Sequence, residues 1–392
     1  MTRKRHPQLI TRKHWCKWVS PYTANLDDAR QRFVSEAVHG MVATGSTVLS
    51  EMARGIYSDG IHVDYVVKRF SRNLKKDTWH PATLHEQLLQ SHASFVRDDT
   101  PVYIDLSEIA KPHAKKMAKL TKVRDASDTD KRTVKGYWLF GAYAEPSPGV
   151  LVPLILAIFS PRERKFISQN KVILDHLAVL NKALEGRGIF IMDRGFDGRV
   201  FLDALLEMKQ RFIIRLRDSR GLVCEDGTTR RVARLALRIV RPEDDWHVAR
   251  SAVVRLPKDE RDLLFVASPR RLNDPCPVKL LAWLGDGDMD RPRWTRRCQQ
   301  LYRRRWKAED GIRFLKTALG LEQVRVMSWR GLQHMMALAA LAMTIVALAA
   351  SEPREWVTEV IRYGKPRRAE AELLYYRIRN GIAHLLLWEP LL

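Results

Sequence analysis

Apolar residues recur at i, i+3 and i+4 spacing from Leu26 to about Leu89, as in Phe33, Val34, Ala37, Val38, Met41 and Val42. That period predicts several short helices, the first capped by Asp27. Past Asp98 the period changes. PVYIDLS, KGYWLFGAYAE and GVLVPLILAIFSP read as strands, the third apolar enough to be central. A helix over 168–185 and a buried strand in GIFIMDRG follow, which together predict a mixed sheet. FIIRLR, HVARSAVVRL and RDLLFVAS, separated by polar turns, predict a β-rich insertion, and Pro269 to Pro292 reads as a linker rich in Pro, Gly and Asp. Helices return near 295 and continue to the C-terminus. Residues 334–350, HMMALAALAMTIVALAA, are the only long apolar run, at the lower limit for crossing a bilayer. Following closely on a charged helix, they read as a buried core helix.

Charge narrows the partners. Lys plus Arg number 68 against 45 Asp plus Glu, a net charge of +23, which points to a polyanion and first to nucleic acid. The cations are spread along the whole chain, so the fold itself must build the anion surface. Residues 46–76 predict two helices around a Ser-Asp-Gly turn, the second carrying Lys68, Arg69, Arg72, Lys75 and Lys76. This reads either as a helix-turn-helix that meets DNA or as a bundle with a wet basic face. Cys16, Cys224, Cys276 and Cys298 stand far apart with no CxxC pair, which suggests neither a zinc site nor a disulfide framework and fits a reducing cytoplasm. The N-terminus, MTRKRHPQLITRKHW, lacks the apolar region of a signal peptide and reads as a basic arm.

Two acids stand where chemistry is expected. Asp105 interrupts the apolar strand VYIDLS, and Asp193 closes the apolar strand GIFIMD. A charge buried in such a strand needs a partner or a metal. A third acid, Glu309, sits in YRRRWKAEDGIRFLK. On one continuous helix at about 100° per residue, Tyr302, Arg305, Glu309 and Lys316 fall within an arc of roughly 60°, with Arg313 on the same face. One face would then carry an acid among phosphate-binding cations, or simply be a solvated face with pairs such as Arg305 with Glu309. Three carboxylates without a His or Cys cluster suit Mg²⁺ or Mn²⁺ and two-metal phosphoryl transfer.

At these residues the chain resembles the DDE transposases of bacterial insertion sequences, specifically the insertion-sequence-four group. That group's signature of Tyr, two residues, Arg, three residues, Glu, six residues, Lys is matched at Tyr302, Arg305, Glu309 and Lys316. IMDRGFDG resembles the family's second-acid segment, and DLSEIAKP, beginning at Asp105, its first. The resemblance covers roughly residues 100 to 350.

It implies an α/β, ribonuclease H-like mixed sheet with a β-rich insertion before the last catalytic helix, plus an N-terminal helical DNA-binding region. The expected division is 1–98 for that region, 99–211 and 295–350 for the two parts of the core, 212–294 for the insertion and linker, and 351–392 for a C-terminal helical region. The implied activity is cut-and-paste transposition. The enzyme binds terminal inverted repeats, hydrolyses the DNA backbone, forms hairpin ends and joins the freed 3′-hydroxyl to target DNA. Asp105, Asp193 and Glu309 would hold two Mg²⁺ ions, with Mn²⁺ able to substitute, while Tyr302, Arg305, Arg313 and Lys316 would hold DNA phosphates. The partners implied are double-stranded DNA, at transposon ends and target, and a second copy of the chain paired on it. No membrane is implied, and the location is the bacterial cytoplasm, on the nucleoid. Some family members stack a flipped base on a Trp in the insertion's last strand. Here that strand offers Leu263, which leaves Trp283 or Trp294 as substitutes. Two other functions fit the same residues: a catalytically inactive or domesticated DNA-binding protein, and a nuclease of this fold without strand transfer.

Overall fold

The computed structural model describes residues 12–56, 62–76, 80–124, 133–286, 290–364 and 374–388. Residues 1–11 of the basic arm and the Ser58-Asp59-Gly60 turn lie outside them. The N-terminal region is helical: α1 (Arg12–Val19), α2 (Asp28–Thr44), α3 (Leu49–Arg54), α4 (Val63–Lys75) and α5 (Pro81–Ala93). Asp27 caps α2 as expected, its carboxylate accepting from the Arg30 amide at 2.9 Å. Gly45, at φ 65°, ends the helix in the left-handed conformation that favours glycine.

Then come β1 (Pro101–Ala110), β2 (Thr121–Arg124), β3 (Thr133–Ser147), β4 (Val150–Phe159), α6 (Gln169–Leu184), β5 (Ile189–Met192), α7 (Arg199–Glu207) and β6 (Phe212–Arg215). β1 pairs antiparallel with β3 and parallel with β5, and β5 pairs parallel with β6. The apolar third strand, β4, is not central: it pairs with β3 beside the main path of the sheet. Its hydrophobicity is explained by α5 and by a long helix described below, which pack on it.

The insertion holds β7 (Gly221–Cys224), β8 (Thr229–Arg231), α8 (Val232–Ile239), β9 (Arg250–Arg255), β10 (Leu263–Ser268) and β11 (Val278–Trp283). The expected linker over 269–292 therefore contains a strand, and an important one. VKLLAW pairs with β10 on one side and β6 on the other, so a single mixed sheet runs β2-β3-β1-β5-β6-β11-β10-β9-β7-β8. Leu280, Leu281 and Ala282 are buried, and that apolar burial outweighs the turn-forming residues around them.

Closing the chain are α9 (Arg291–Arg303), α10 (Trp306–Thr317), α11 (Trp329–Ala350), α12 (Arg354–Tyr363) and α13 (Leu374–Trp388). α11 is long and apolar enough to cross a membrane, but 89% of its most apolar window is buried inside the protein. It packs on β4, α2, α4, α5 and α13, as a core helix does.

Alternation along the strands sends side chains into two cores. Tyr103, Tyr143, Ile191 and Ile213 join the core shared with α10 and α11, whereas Val102, Ile104, Phe190, Met192 and Ile214 join the core shared with α6 and α7. Asp105, Asp193 and Arg215 continue the first series by two residues each. All three consequently project from the face that α9 and α10 cover.

Candidate active site

The strand register fixes the acids before any side chain is considered. Ile104 lies opposite Met192, and Met192 opposite Ile214. One residue further along, Asp105, Asp193 and Arg215 form a row, Asp105 in the middle of β1, Asp193 just past the end of β5 and Arg215 at the end of β6. β1 has its parallel neighbour on one side and its antiparallel one on the other, the kind of switch point where open sheets leave a crevice.

Asp105 is the most perturbed of the group. Its carboxyl is pushed up to about 7, first by burial and then by the nearby Asp193; Arg305 pulls it down, and Glu309 pushes it up again. Asp193 also serves as a cap, accepting from the Gly195 amide at 2.7 Å. Glu309 comes from α10, and its Oε1 takes Nη2 of Arg305 at 2.7 Å. Nη1 of the same guanidinium is 3.9 Å from Asp105 Oδ2. Arg305 thus stands between the first and third acids, a cation among mutually repelling carboxylates.

One expectation about this helix is corrected. The stretch 302–316 is not one helix: Arg304 and Arg305 are linked back by tight i→i−3 bonds to Leu301 and Tyr302, and α10 starts only at Trp306. The break follows from Arg304, whose side chain reaches the fully buried Glu145 at 2.5 Å. That carboxylate also accepts from the Tyr103 hydroxyl and the Gly149 amide, each at 2.7 Å. A buried charge needs such partners, and an unbroken helix would point Arg304 elsewhere.

Lys316, expected at a phosphate, stands among carboxylates. Its Nζ lies 2.8 Å from Glu108 and 3.2 Å from Glu322, with Glu108 almost fully buried, so the ammonium is already paired. Arg313 is mostly exposed, 3.9 Å from Asp310. Tyr302, on α9, faces Arg215 and lies in the field of Asp193 and Arg305, with burial raising its phenol's pKa.

Arg215 and Arg305 open into a groove of about 480 Å³ between α9, α10 and the insertion, lined also by Arg270, Arg303, Trp246 and Trp306. Arg303 lies 5.1 Å over Trp246 and Arg305 5.3 Å over Trp306. Trp246 and Trp306 are 51% and 63% exposed, unlike the expected base-capturing residues: Trp283 is buried, and Trp294 packs against the core. Sequence reading misses this groove. The signal for Arg215 is present, however, as a charge ending the apolar run FIIR.

On α4, Lys68, Arg72, Lys75 and Lys76 are exposed. Arg69 differs from them: it pairs with the buried Glu36, which draws it out of the exposed set. α4 packs against α2, α3 and α11.

Among the described residues, no group of three or more His, Cys, Asp and Glu is drawn close enough to hold a metal ion. The donor chemistry nevertheless fits a hard cation. Three carboxylates share one electrostatic field, and burial first, then the charge of Asp193, pushes Asp105 up to about 7.

Residues 167–345 match the family described as "Transposase DDE domain". The matched segment contains Asp193, Tyr302, Arg305, Glu309 and Lys316 and begins after Asp105. That match, which covers less than half of the chain, supports an enzyme of the DDE transposase type. It is similar to a solved structure described as "Cryo-EM structure of piggyBac transposase synaptic complex with hairpin DNA", at 11% identity, TM-score 0.45, with 98% of this chain and 81% of that one covered. No curated protein matches the chain.

Proposed function

We propose that the chain is a cut-and-paste transposase of the insertion-sequence-four group, from a bacterium, acting on its transposon's terminal inverted repeats. The observation that carries this reading is the row Asp105, Asp193, Arg215 across three parallel strands, with Glu309 brought over it by α10. The order of the first, second, third, fourth and fifth core strands, β4-β3-β1-β5-β6 with β3 antiparallel, supports a ribonuclease H-like core.

Asp105, Asp193 and Glu309 are the residues that would hold divalent cations, Mg²⁺ in the cell with Mn²⁺ able to substitute. When bound, such ions supply Lewis acidity at the scissile phosphate and favour the attacking oxygen. The protein's own residues do the rest. Arg305, which lies against two of the acids, would be free to reach a phosphate oxygen if a cation took its place there. Arg215 and Tyr302 hold the strand being cut, and the groove beyond offers Arg270 and Arg303 to the backbone and two exposed indoles to an unstacked base. The exposed cations of α4 grip DNA further from the cut, and two copies of the chain pair two ends. The four free cysteines suit the reducing interior of a bacterial cell.

The test is a reaction of purified protein with end-containing donor DNA and target plasmid in Mg²⁺. Joined products with hairpin intermediates are expected. Cleavage without joining would leave a nuclease, and binding without cleavage a DNA-binding remnant.

A further inference from the structure

Beneath Asp105 lies a tyrosine that nothing in the fold requires to be one. Tyr143 is fully buried on β3, and among the described residues its hydroxyl finds no hydrogen-bond partner. A buried orphan hydroxyl is costly, and phenylalanine would fill the same volume without it. The neighbouring Tyr103 shows the ordinary solution, donating to Glu145 at 2.7 Å.

Where the orphan points is set by two glycines. Gly141 is the cross-strand partner of Asp105. A Cβ there would stand 2.8 Å from Tyr143 Cε2 and 2.9 Å from the hydroxyl oxygen. The ring therefore lies over Gly141, in the space next to the Asp105 side chain, and the Asp105 charge acts on the phenol. On the other side, a Cβ at Gly311 would meet Tyr143 Cε1 at 3.3 Å. Gly311 is two residues past Glu309, so this one ring fills the space between β3, at the residue facing the first acid, and the helix carrying the third.

We propose that Tyr143 is a positioning residue for Asp105: its hydroxyl donates to the Asp105 carboxylate when a divalent cation replaces Arg305 there, and so fixes the orientation in which that acid presents its oxygens. This rests on the metal-site reading above. Partners of this kind, outside the ligands themselves, set ligand orientation and metal affinity.

The experiment is calorimetric titration of the full chain with Mn²⁺, alongside Tyr143→Phe and Asp105→Asn, with a thermal melt of each. Tyr143→Phe is expected to melt no lower than the native protein yet to bind Mn²⁺ about 10- to 100-fold more weakly. Gly141→Ala, whose methyl group displaces the hydroxyl, should weaken Mn²⁺ in the same direction. A fluorine resonance from 3-fluorotyrosine at position 143 should shift on addition of Mg²⁺. Native Mn²⁺ affinity in Tyr143→Phe, or a fluorine resonance that ignores Mg²⁺, overturns the inference while leaving the metal site standing. A native chain that binds Mn²⁺ no better than Asp105→Asn does overturns the metal reading, and the inference with it.

Discussion

Two basic stretches of this chain look alike in sequence and behave differently in the fold. On α4, Lys68, Arg72, Lys75 and Lys76 project outward, and only Arg69 turns inward to an acid. Along α9, α10 and the break between them, three cations are claimed by carboxylates, several of them on strands: Arg304 by Glu145, Arg305 by Asp105 and Glu309, Lys316 by Glu108 and Glu322. Density of positive charge does not separate these cases. What separates them is whether a sheet places acids opposite. The first stretch offers loosely held charge to a polyanion, whereas the second holds charge in place against acids and would release it only when another cation arrives.

The sharpest way to test that difference is Glu309→Gln. It should lower DNA cleavage by about 10³-fold or more while leaving affinity for transposon ends within about twofold, because binding is spread over many phosphate contacts. Parallel loss of binding in a mobility-shift assay would make α10 a second version of α4.

Lys316→Ala comes next. Removing the counter-charge of a nearly buried Glu108 should cost about 2–4 kcal/mol in urea denaturation. An unchanged midpoint with reduced cleavage would instead restore the phosphate-binding role that the sequence suggests.

A further contrast lies in pH. His39 and His92 are buried in the helical layer, and burial lowers each to about 4 from 6.5. His92 is held by the Pro153 carbonyl at 2.7 Å and the Tyr22 hydroxyl at 3.1 Å. The unfolded chain takes up these protons first, so stability present above about pH 6.5 is lost as pH falls toward 4. Denaturation midpoints at pH 7.5, 6 and 5 should fall in that order; a flat series would mean that the folded rings take up protons as readily as the unfolded ones.

The smallest effect belongs to α4. Arg72→Ala with Lys75→Ala should change stability by less than about 0.5 kcal/mol and reduce the salt slope of DNA binding by about one unit per charge. An unaltered slope removes α4 from the interface.

Much of the scaffold is legible in the sequence because local periodicity carries it. The strand that carries Asp105 and the one that ends before Asp193 follow from alternation and apolar runs, and Glu309 stands out by its spacing from Tyr302, Arg305 and Lys316. Other features depend on residues distant in the chain. The helix break at Arg304 depends on Glu145, β11 on the open edges of β6 and β10, and the row from Asp105 to Arg215 on a pairing register that no single segment contains. Proline, glycine and aspartate around VKLLAW hide a strand whose identity is decided by what it pairs with.

That hidden strand has a mechanical consequence. Because β11 hydrogen-bonds to β6 on one side and β10 on the other, the insertion is joined to the acid-bearing strands by a continuous backbone ladder and cannot swing on a flexible tether. The width of the groove between Trp246 and Trp306 is therefore preset by the sheet's own twist. On the proposed function, a duplex laid across it would have to supply the bending itself, so ends that kink easily should be favoured over stiff ones even at positions no side chain touches.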